Sequence, residues 1–337
     1  MPVLDVIPAA QRDIARSALA AAFGPAPLAD LRPVTGGASG ALTWRAAVAG
    51  RPYLLRIEAR RSPMRNPHQY ACMKIAADAG IAPLLRYCDE TAGVAIMDFL
   101  PQQPLSGYPG GADALARAAG SLLARLQSAP LFPPLLDYFA ILSRMLGFLR
   151  GSGMFAPGLL DPHLEGFERI RAVYPMNPAA SVSSHNDPNP RNIIFDGARL
   201  WLIDWETAYR NDPLVDAAIL LDQLAATPGR VEAFLQAWLG AAPDAALRAR
   251  LVLMRSLTRL YYAGLALSGF AAAPRDRPDA DLNAPSPAEF QALFERGQLE
   301  AAAPATLYIL GKMQLAGFLA GVAAPGFTEA LAIARNG

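Results

Sequence analysis

Residues 193–203 read as two apolar half-strands, Ile193-Ile194-Phe195 and Leu200-Trp201-Leu202-Ile203, on either side of Asp196-Gly197. An Asp-Gly pair between apolar runs is the strongest short-range signal for a β-hairpin, because the turn needs a backbone that glycine tolerates. A hairpin sets its two open ends side by side. Asn192 enters at that end and Asp204 leaves at it, so local structure alone brings together two oxygen ligands for a hard cation. Asp187 stands five residues before Asn192, in a loop whose freedom Pro188 and Pro190 restrict.

That order of parts suits phosphoryl transfer. One aspartate orients or accepts the proton of an attacking hydroxyl, while an asparagine and a second aspartate hold Mg²⁺ across nucleotide phosphates. The Asp187-to-Asn192 spacing equals that of the catalytic loop H-R-D-x-x-x-x-N. Taken singly, each feature has a plain structural reading: a turn beside a satisfied histidine, a hairpin, a helix cap. The functional reading rests on their joint order and spacing. Ser184 beside His185 makes no nucleophilic dyad, since neighbours on a strand point to opposite faces.

Scarce residues exclude other chemistries. Of the 30 lysines and arginines only Lys74 and Lys312 are lysines, and neither follows a spaced glycine as a Walker-type loop requires. A net charge of +1 gives the chain no general pull on nucleic acid or acidic membranes. The histidines His68, His163 and His185 and the cysteines Cys72 and Cys88 lack the clustered spacing of structural zinc. Two distant cysteines build no disulfide framework, which points to a reducing cytoplasm. The N-terminus reads as no signal peptide, and Thr306–Ala324, interrupted by Lys312 and Gln314, as a buried helix with no membrane insertion.

The chain changes character near residue 101. Before it, residues 31–49 read as a strand, a glycine-rich turn and a returning strand, followed by the alternating strand Tyr53–Ala59. Leu54, Arg56 and Glu58 share one face of that strand; Tyr53, Leu55 and Ile57 share the other. Helical spacing covers 67–79, and a further β segment closes at Pro101. After it, Leu/Ala-rich helical patterns cover 111–128, 132–150 and 158–173, with more from about 212 onward. The expectation is an α+β chain with a small antiparallel-sheet lobe over 1–101 and a larger helical lobe over 102–337.

The runs SHNDPNPRNIIFD and LIDWETAYRNDPLVDAA resemble the choline/ethanolamine kinase-like branch of the aminoglycoside phosphotransferase superfamily. The resemblance is strongest over 184–217 and looser over 31–101. It implies a bilobal protein kinase-like fold, with ATP and Mg²⁺ as cofactors and a small-molecule hydroxyl as phosphoryl acceptor. Asp187 would then be the catalytic base, Asn192 and Asp204 the Mg²⁺ ligands, and His185 an anchor of the loop. Asp216 would hydrogen-bond that loop from the next helix.

On the nucleotide side, the backbone amides around Gly36, Gly37, Ser39 and Gly40 would approach the phosphates closely. Arg56 stands where protein kinases carry a lysine, and its guanidinium can grip the α- and β-phosphates with two donors. The helix that should pair with it has Gln69 and no glutamate, so either Gln69 or a carboxylate such as Glu58 would orient Arg56. Backbone groups of Asp98 and Leu100 would meet the adenine edge. Arg191 or the metal would supply the charge that Asn189 does not, and Glu206 is either a further ligand or a solvated cap.

The acceptor is less legible. An aromatic cage for a quaternary ammonium could draw on Trp205, Trp238, Tyr261, Tyr262 and Phe270, although core packing is the expected role for most of them. An aminoglycoside pocket would need acidic residues such as Glu206, Asp212, Asp222 and those of 276–281. An amino-alcohol kinase, an aminoglycoside-type kinase and a nucleotide-binding module without turnover are the three readings carried forward.

Overall fold

The computed structural model describes residues 2–34, 41–58, 65–268, 277–300 and 303–336. Helix α1 (Arg12–Phe23) precedes an antiparallel sheet of β1 (Leu28–Pro33), β2 (Ala41–Val48), β3 (Arg51–Glu58), β4 (Leu85–Asp89) and β5 (Val94–Asp98), in spatial order β1-β2-β3-β5-β4. Helix α2 (Gln69–Asp78) links β3 to β4. Three helices follow: α3 (Gly111–Gln127), α4 (Tyr138–Gly151) and α5 (Asp161–Arg171). Short strands β6 (Val182–Ser184), β7 (Ile193–Phe195), β8 (Leu200–Leu202) and β9 (Tyr209–Asn211) form two pairs, β6-β9 and β7-β8. The chain ends in α6 (Leu214–Leu224), α7 (Pro228–Leu239), α8 (Ala245–Ser268), α9 (Pro287–Glu295), α10 (Pro304–Ala323) and α11 (Pro325–Asn336). A small antiparallel sheet ahead of a larger helical part is the α+β arrangement expected.

Two compact units make up the chain, one of residues 1–135, 181–216 and 223–241 and one of 136–180, 217–222 and 242–337. In the first unit, the alternation of β3 divides the sheet into two faces. Tyr53, Leu55 and Ile57 join Trp44, Val48, Val94 and Ile96 in a core closed by Ala15 and Ala18 of α1. Leu54, Arg56 and Glu58 lie on the opposite face. Arg56 is flanked there by Thr43 of β2 and Ala95 of β5, two small neighbours that leave its guanidinium room.

Helix α3 packs on α7 in the same unit, and Gly120 sets how close they come. A Cβ at Gly120 would lie 2.4 Å from the backbone oxygen of Phe234. Gly120→Ala is therefore expected to destabilise the protein by about 1–3 kcal/mol, overpacking outweighing the gain in helix propensity. A thermal melt against the parent checks this, and an unchanged midpoint would refute it.

The second unit is built around α8, which packs against α4, α10 and α11. Asp222 pairs with Arg255 and Arg259, and Lys312 of α10 is buried against Asp279 at 2.7 Å. Two expectations need correction here. The helical pattern assigned to 132–150 begins only at Tyr138, because Pro133 and Pro134 disfavour helix and Asp137 supplies the cap, accepting from Ala140 N. The C-terminal apolar helix, α10, buries a stripe of Thr306, Gly311, Lys312, Leu315 and Phe318, and only 28% of its most apolar window is buried. By length and composition it is the one described helix able to cross a membrane.

Candidate active site

The β7–β8 hairpin forms as its sequence requires, with Ile193 opposite Leu202 and Phe195 opposite Leu200. Asp196 closes the turn: its Oδ1 accepts from Ala198 N and Arg199 N, and its Oδ2 from Trp201 Nε1. At the open end Ile203 N donates to Asn192 O at 3.0 Å, which brings Asn192 beside the residue that precedes Asp204.

The preceding loop is clamped from several sides. Asp216, fully buried on α6, accepts from His185 N at 2.7 Å and from Asn186 N at 2.8 Å. Burial pushes its carboxyl up, and the two backbone donors oppose that. This is the contact expected of Asp216. The His185 ring bonds through Nε2 to Ile203 O at 2.8 Å and packs on Trp205, so it ties the loop to the hairpin as an anchor would. Asn186 holds a left-handed backbone and knots the segment together. Its Nδ2 donates to Thr207 O at 2.9 Å, and its Oδ1 accepts from Asn211 Nδ2 at 2.7 Å.

Within this frame the half-buried carboxylate of Asp187 is held at both oxygens. Asn189 Nδ2 donates to Oδ1 at 2.8 Å, and Asn192 Nδ2 donates to Oδ2 at 3.3 Å and to the Asp187 carbonyl at 2.9 Å. Asn192 thereby commits its amide nitrogen to Asp187, so the atom it can offer a cation is its oxygen. Arg191, in the same turn, is exposed.

Asp204 also has a left-handed backbone, and its Oδ1 is buried without a hydrogen-bond partner among the described residues. Burial, and then the Asp204 carboxylate, push the neighbouring Glu206 up to about 7, while Arg56 pulls it down. A buried carboxylate oxygen without a hydrogen-bond partner among the described residues, beside a second carboxylate, has the donor chemistry a hard cation takes. Among the described residues no group of three or more His, Cys, Asp or Glu forms a metal cage. The set Asn192 and Asp204 suits Mg²⁺, which takes one or two protein oxygens and completes its shell with phosphate and water.

Arg56 itself is buried. Its nearest acid is Glu58, with Nη1 to Oε1 at 3.7 Å, and Gln69 of α2 donates to Glu58 rather than to Arg56. Of the two orientations left open, the structure has the one through Glu58. Sequence reading missed Arg65, whose Nε lies 2.9 Å from Glu58 Oε2, and missed the role of Asn211; neither stands in a local pattern that would flag it. Lys74 is exposed on α2 and pairs with Asp78.

Helix α2 is also fastened to the segment beyond Asp204. Asn66 Nδ2, just before the helix, donates to Ala208 O at 2.7 Å, and Cys72 Sγ donates to the same oxygen at 3.3 Å.

At the edge of the sheet, Asp98 donates its N–H to Leu84 O and its carboxylate is gripped by Arg86 at 2.7 and 2.9 Å. Leu100 follows two residues after the end of β5, outside any strand or helix. Gly36, Gly37, Ser39 and Gly40 lie outside the described residues.

A sequence model of the phosphotransferase enzyme family matches residues 30–251. The chain belongs to that family. It is a phosphotransferase, and the resemblance seen in the Ser184–Ala217 run holds at the level of that family. A search of the curated proteins gives no match. Solved structures share the kinase-like fold. A choline/ethanolamine kinase family protein from Mesorhizobium loti superposes with a TM-score of 0.69 at 22% identity, over 96% of this chain and 99% of that one. Choline kinase LicA from Streptococcus pneumoniae gives 0.61 at 14% identity, over 92% and 100%. Macrolide 2′-phosphotransferase MphH from Brachybacterium faecium gives 0.55 at 20% identity, over 79% and 99%.

The aromatic residues considered for a cage are mostly core in this phosphotransferase. Trp205 packs on His185 and Phe132, Trp238 bonds to Gln127, and Tyr261 lies against Tyr138. Tyr262 is half-buried, and Phe270 falls outside the described residues. The acidic candidates are engaged as well. Asp212 accepts from Leu214 N, Asp222 is paired with arginines, and Asp279 and Asp281 face Lys312; Asp276 falls outside the described residues.

Proposed function

We propose that the chain moves the γ-phosphate of ATP, with Mg²⁺, to a hydroxyl of a small molecule, and that choline- or ethanolamine-type amino alcohols are its favoured acceptors. One observation carries this reading: the Asp187 carboxylate is held by Asn189 and Asn192 at the hairpin end where Asp204 has a buried oxygen without a hydrogen-bond partner among the described residues. The acceptor hydroxyl gives its proton to Asp187 as its oxygen bonds to the γ-phosphorus. The bond from that phosphorus to the β,γ-bridging oxygen breaks, and ADP leaves with the electron pair.

Asn192 and Asp204 would hold Mg²⁺, which when bound neutralises charge on the phosphate oxygens. Arg56 grips the α- and β-phosphates. Leu54 and Met97, opposite each other in the sheet, lie under the adenine. The adenine edge meets the backbone of Leu100 and the carbonyl of Asp98, whose N–H is already committed. In functional terms residues 1–101 clamp the nucleotide and 102–337 carry catalysis and acceptor binding. The free thiols Cys72 and Cys88 fit a reducing cytoplasm.

Support for the nucleotide comes from LicA, a structural relative described in complex with AMP. Support for an amino alcohol comes from relatives described as choline or ethanolamine kinases, and from the ion pairs that engage Asp222 and Asp279, two of the acids an aminoglycoside pocket would use. Turnover of Mg-ATP with choline, ethanolamine, other hydroxylated amines, aminoglycosides and macrolides, read by coupled ADP release and product mass, tests it. The highest kcat/KM is expected for an amino alcohol. A preference for an aminoglycoside would replace that acceptor, and Mg-ADP binding without turnover of any acceptor would leave a nucleotide-binding module.

A further inference from the structure

We propose that Arg45 is a further nucleotide-binding residue, held by Phe99 so that its guanidinium packs against the adenine base. The proposal deepens the reading of this face of the sheet as the nucleotide site and rests on it. Residues directly opposite each other on neighbouring strands share a face, so the register fixes what surrounds Arg45. On one side it is opposite Leu54 of β3, which is in turn opposite Met97 of β5. Those are the two residues assigned to the adenine. Thr43, two positions earlier on β2, is opposite Arg56. One row of side chains thus carries Arg56 for the phosphates. The next, about 7 Å along the strands, carries Arg45 beside the residues under the base. Trp44, Ala46 and Val48 alternate with Arg45 and face the core.

The surroundings leave the guanidinium without an acid. Arg45 is half-buried, and among the described residues it has no hydrogen bond or ion pair. Its contact is with an aromatic ring: the guanidinium carbon lies over Phe99, 5.3 Å from the ring centroid. Phe99 is itself fixed just after β5, its N–H donating to Pro52 O at 3.4 Å. On the other side Arg45 is opposite Arg32 of β1. Like charges directly opposite each other are unfavourable, and only Arg32 is relieved, by Asp30 at 2.7 Å. A guanidinium is planar, always charged and weakly hydrated, so one face can stay on Phe99 while the other face and the N–H edge serve a ligand. A purine suits both, with a π face for the cation and ring nitrogens that accept hydrogen bonds. The position beside Leu54, one row away from Arg56, favours the base over the phosphates as the group it meets.

Calorimetric titration of the full chain with Mg-ADP and with Mg-tripolyphosphate, which has phosphates and no base, tests this without requiring turnover. Arg45→Ala is expected to weaken Mg-ADP about 3–30-fold, the range of a cation–π contact from exposed to desolvated. It should leave Mg-tripolyphosphate unchanged, whereas Arg56→Ala should weaken both. Unchanged Mg-ADP binding in Arg45→Ala would overturn the proposal. So would equal weakening of the two ligands, since Arg45 would then act on the phosphates or through the fold. If the parent binds neither ligand, or Arg56→Ala weakens neither, the underlying assignment of this face fails instead. Should Arg45→Ala not fold, Arg45→Lys keeps the charge and removes the planar group. Selective weakening of Mg-ADP in that variant supports the proposal, and parental binding of both ligands refutes it.

Discussion

Asp187→Asn is expected to lower phosphoryl transfer by about 10²–10⁴-fold, the range a positioned general base contributes. The substitution keeps the volume of the side chain and removes only its capacity to take a proton. The loop should survive, because its fixed points are elsewhere: Asp216 on the His185 and Asn186 amides, and the His185 ring on Ile203 O. Asn189 can still donate to an amide oxygen at position 187, so Mg-ADP affinity should stay near that of the parent. Steady-state turnover with the best acceptor, set beside titration of Mg-ADP, separates the two quantities. Full turnover in Asp187→Asn would remove Asp187 as the base.

Arg56→Ala is expected to raise KM for Mg-ATP by about 30- to 1000-fold, the cost of deleting one partner of a buried, charge-assisted contact. Lys74→Ala should leave KM unchanged, since Lys74 is exposed and engaged only with Asp78 across one helical turn. Lys312 lies on α10 in the second compact unit, buried against Asp279. Its loss should lower stability before it alters nucleotide use. A larger KM effect from either lysine than from Arg56 would undo the assignment of the clamp.

What could be read from the sequence was what the sequence holds locally. The hairpin at 193–202, the meeting of Asn192 with the end of β8, and the split of β3 into two faces each follow from residues a few positions apart. Asp216 could be placed because its partners precede it in one recognisable run. What could not be read depends on contacts between distant positions. Asn66 and Cys72 reach Ala208 across 142 and 136 residues, and no spacing rule connects them. Gln69 pointed to a missing carboxylate, but only the packed sheet and helix show that Glu58 fills the place, with Arg65 behind it. The aromatic candidates could not be sorted from sequence for a related reason: a tryptophan at helical spacing has the same pattern whether it faces a ligand or a neighbouring helix.

The double attachment of α2 to Ala208 has a kinematic consequence. One backbone oxygen, two residues past Glu206, receives both Asn66 and Cys72, while Gln69 on the same helix grips Glu58. Three fastenings within seven residues leave the arginine-bearing strand and the Asp204 segment few independent degrees of freedom. A displacement of the helix carries both, so an alteration at either end is felt at the other. On the proposed reading of Arg56 and Asp204, affinity for the nucleotide phosphates and affinity for the cation would be set together, by the seating of a single ten-residue helix.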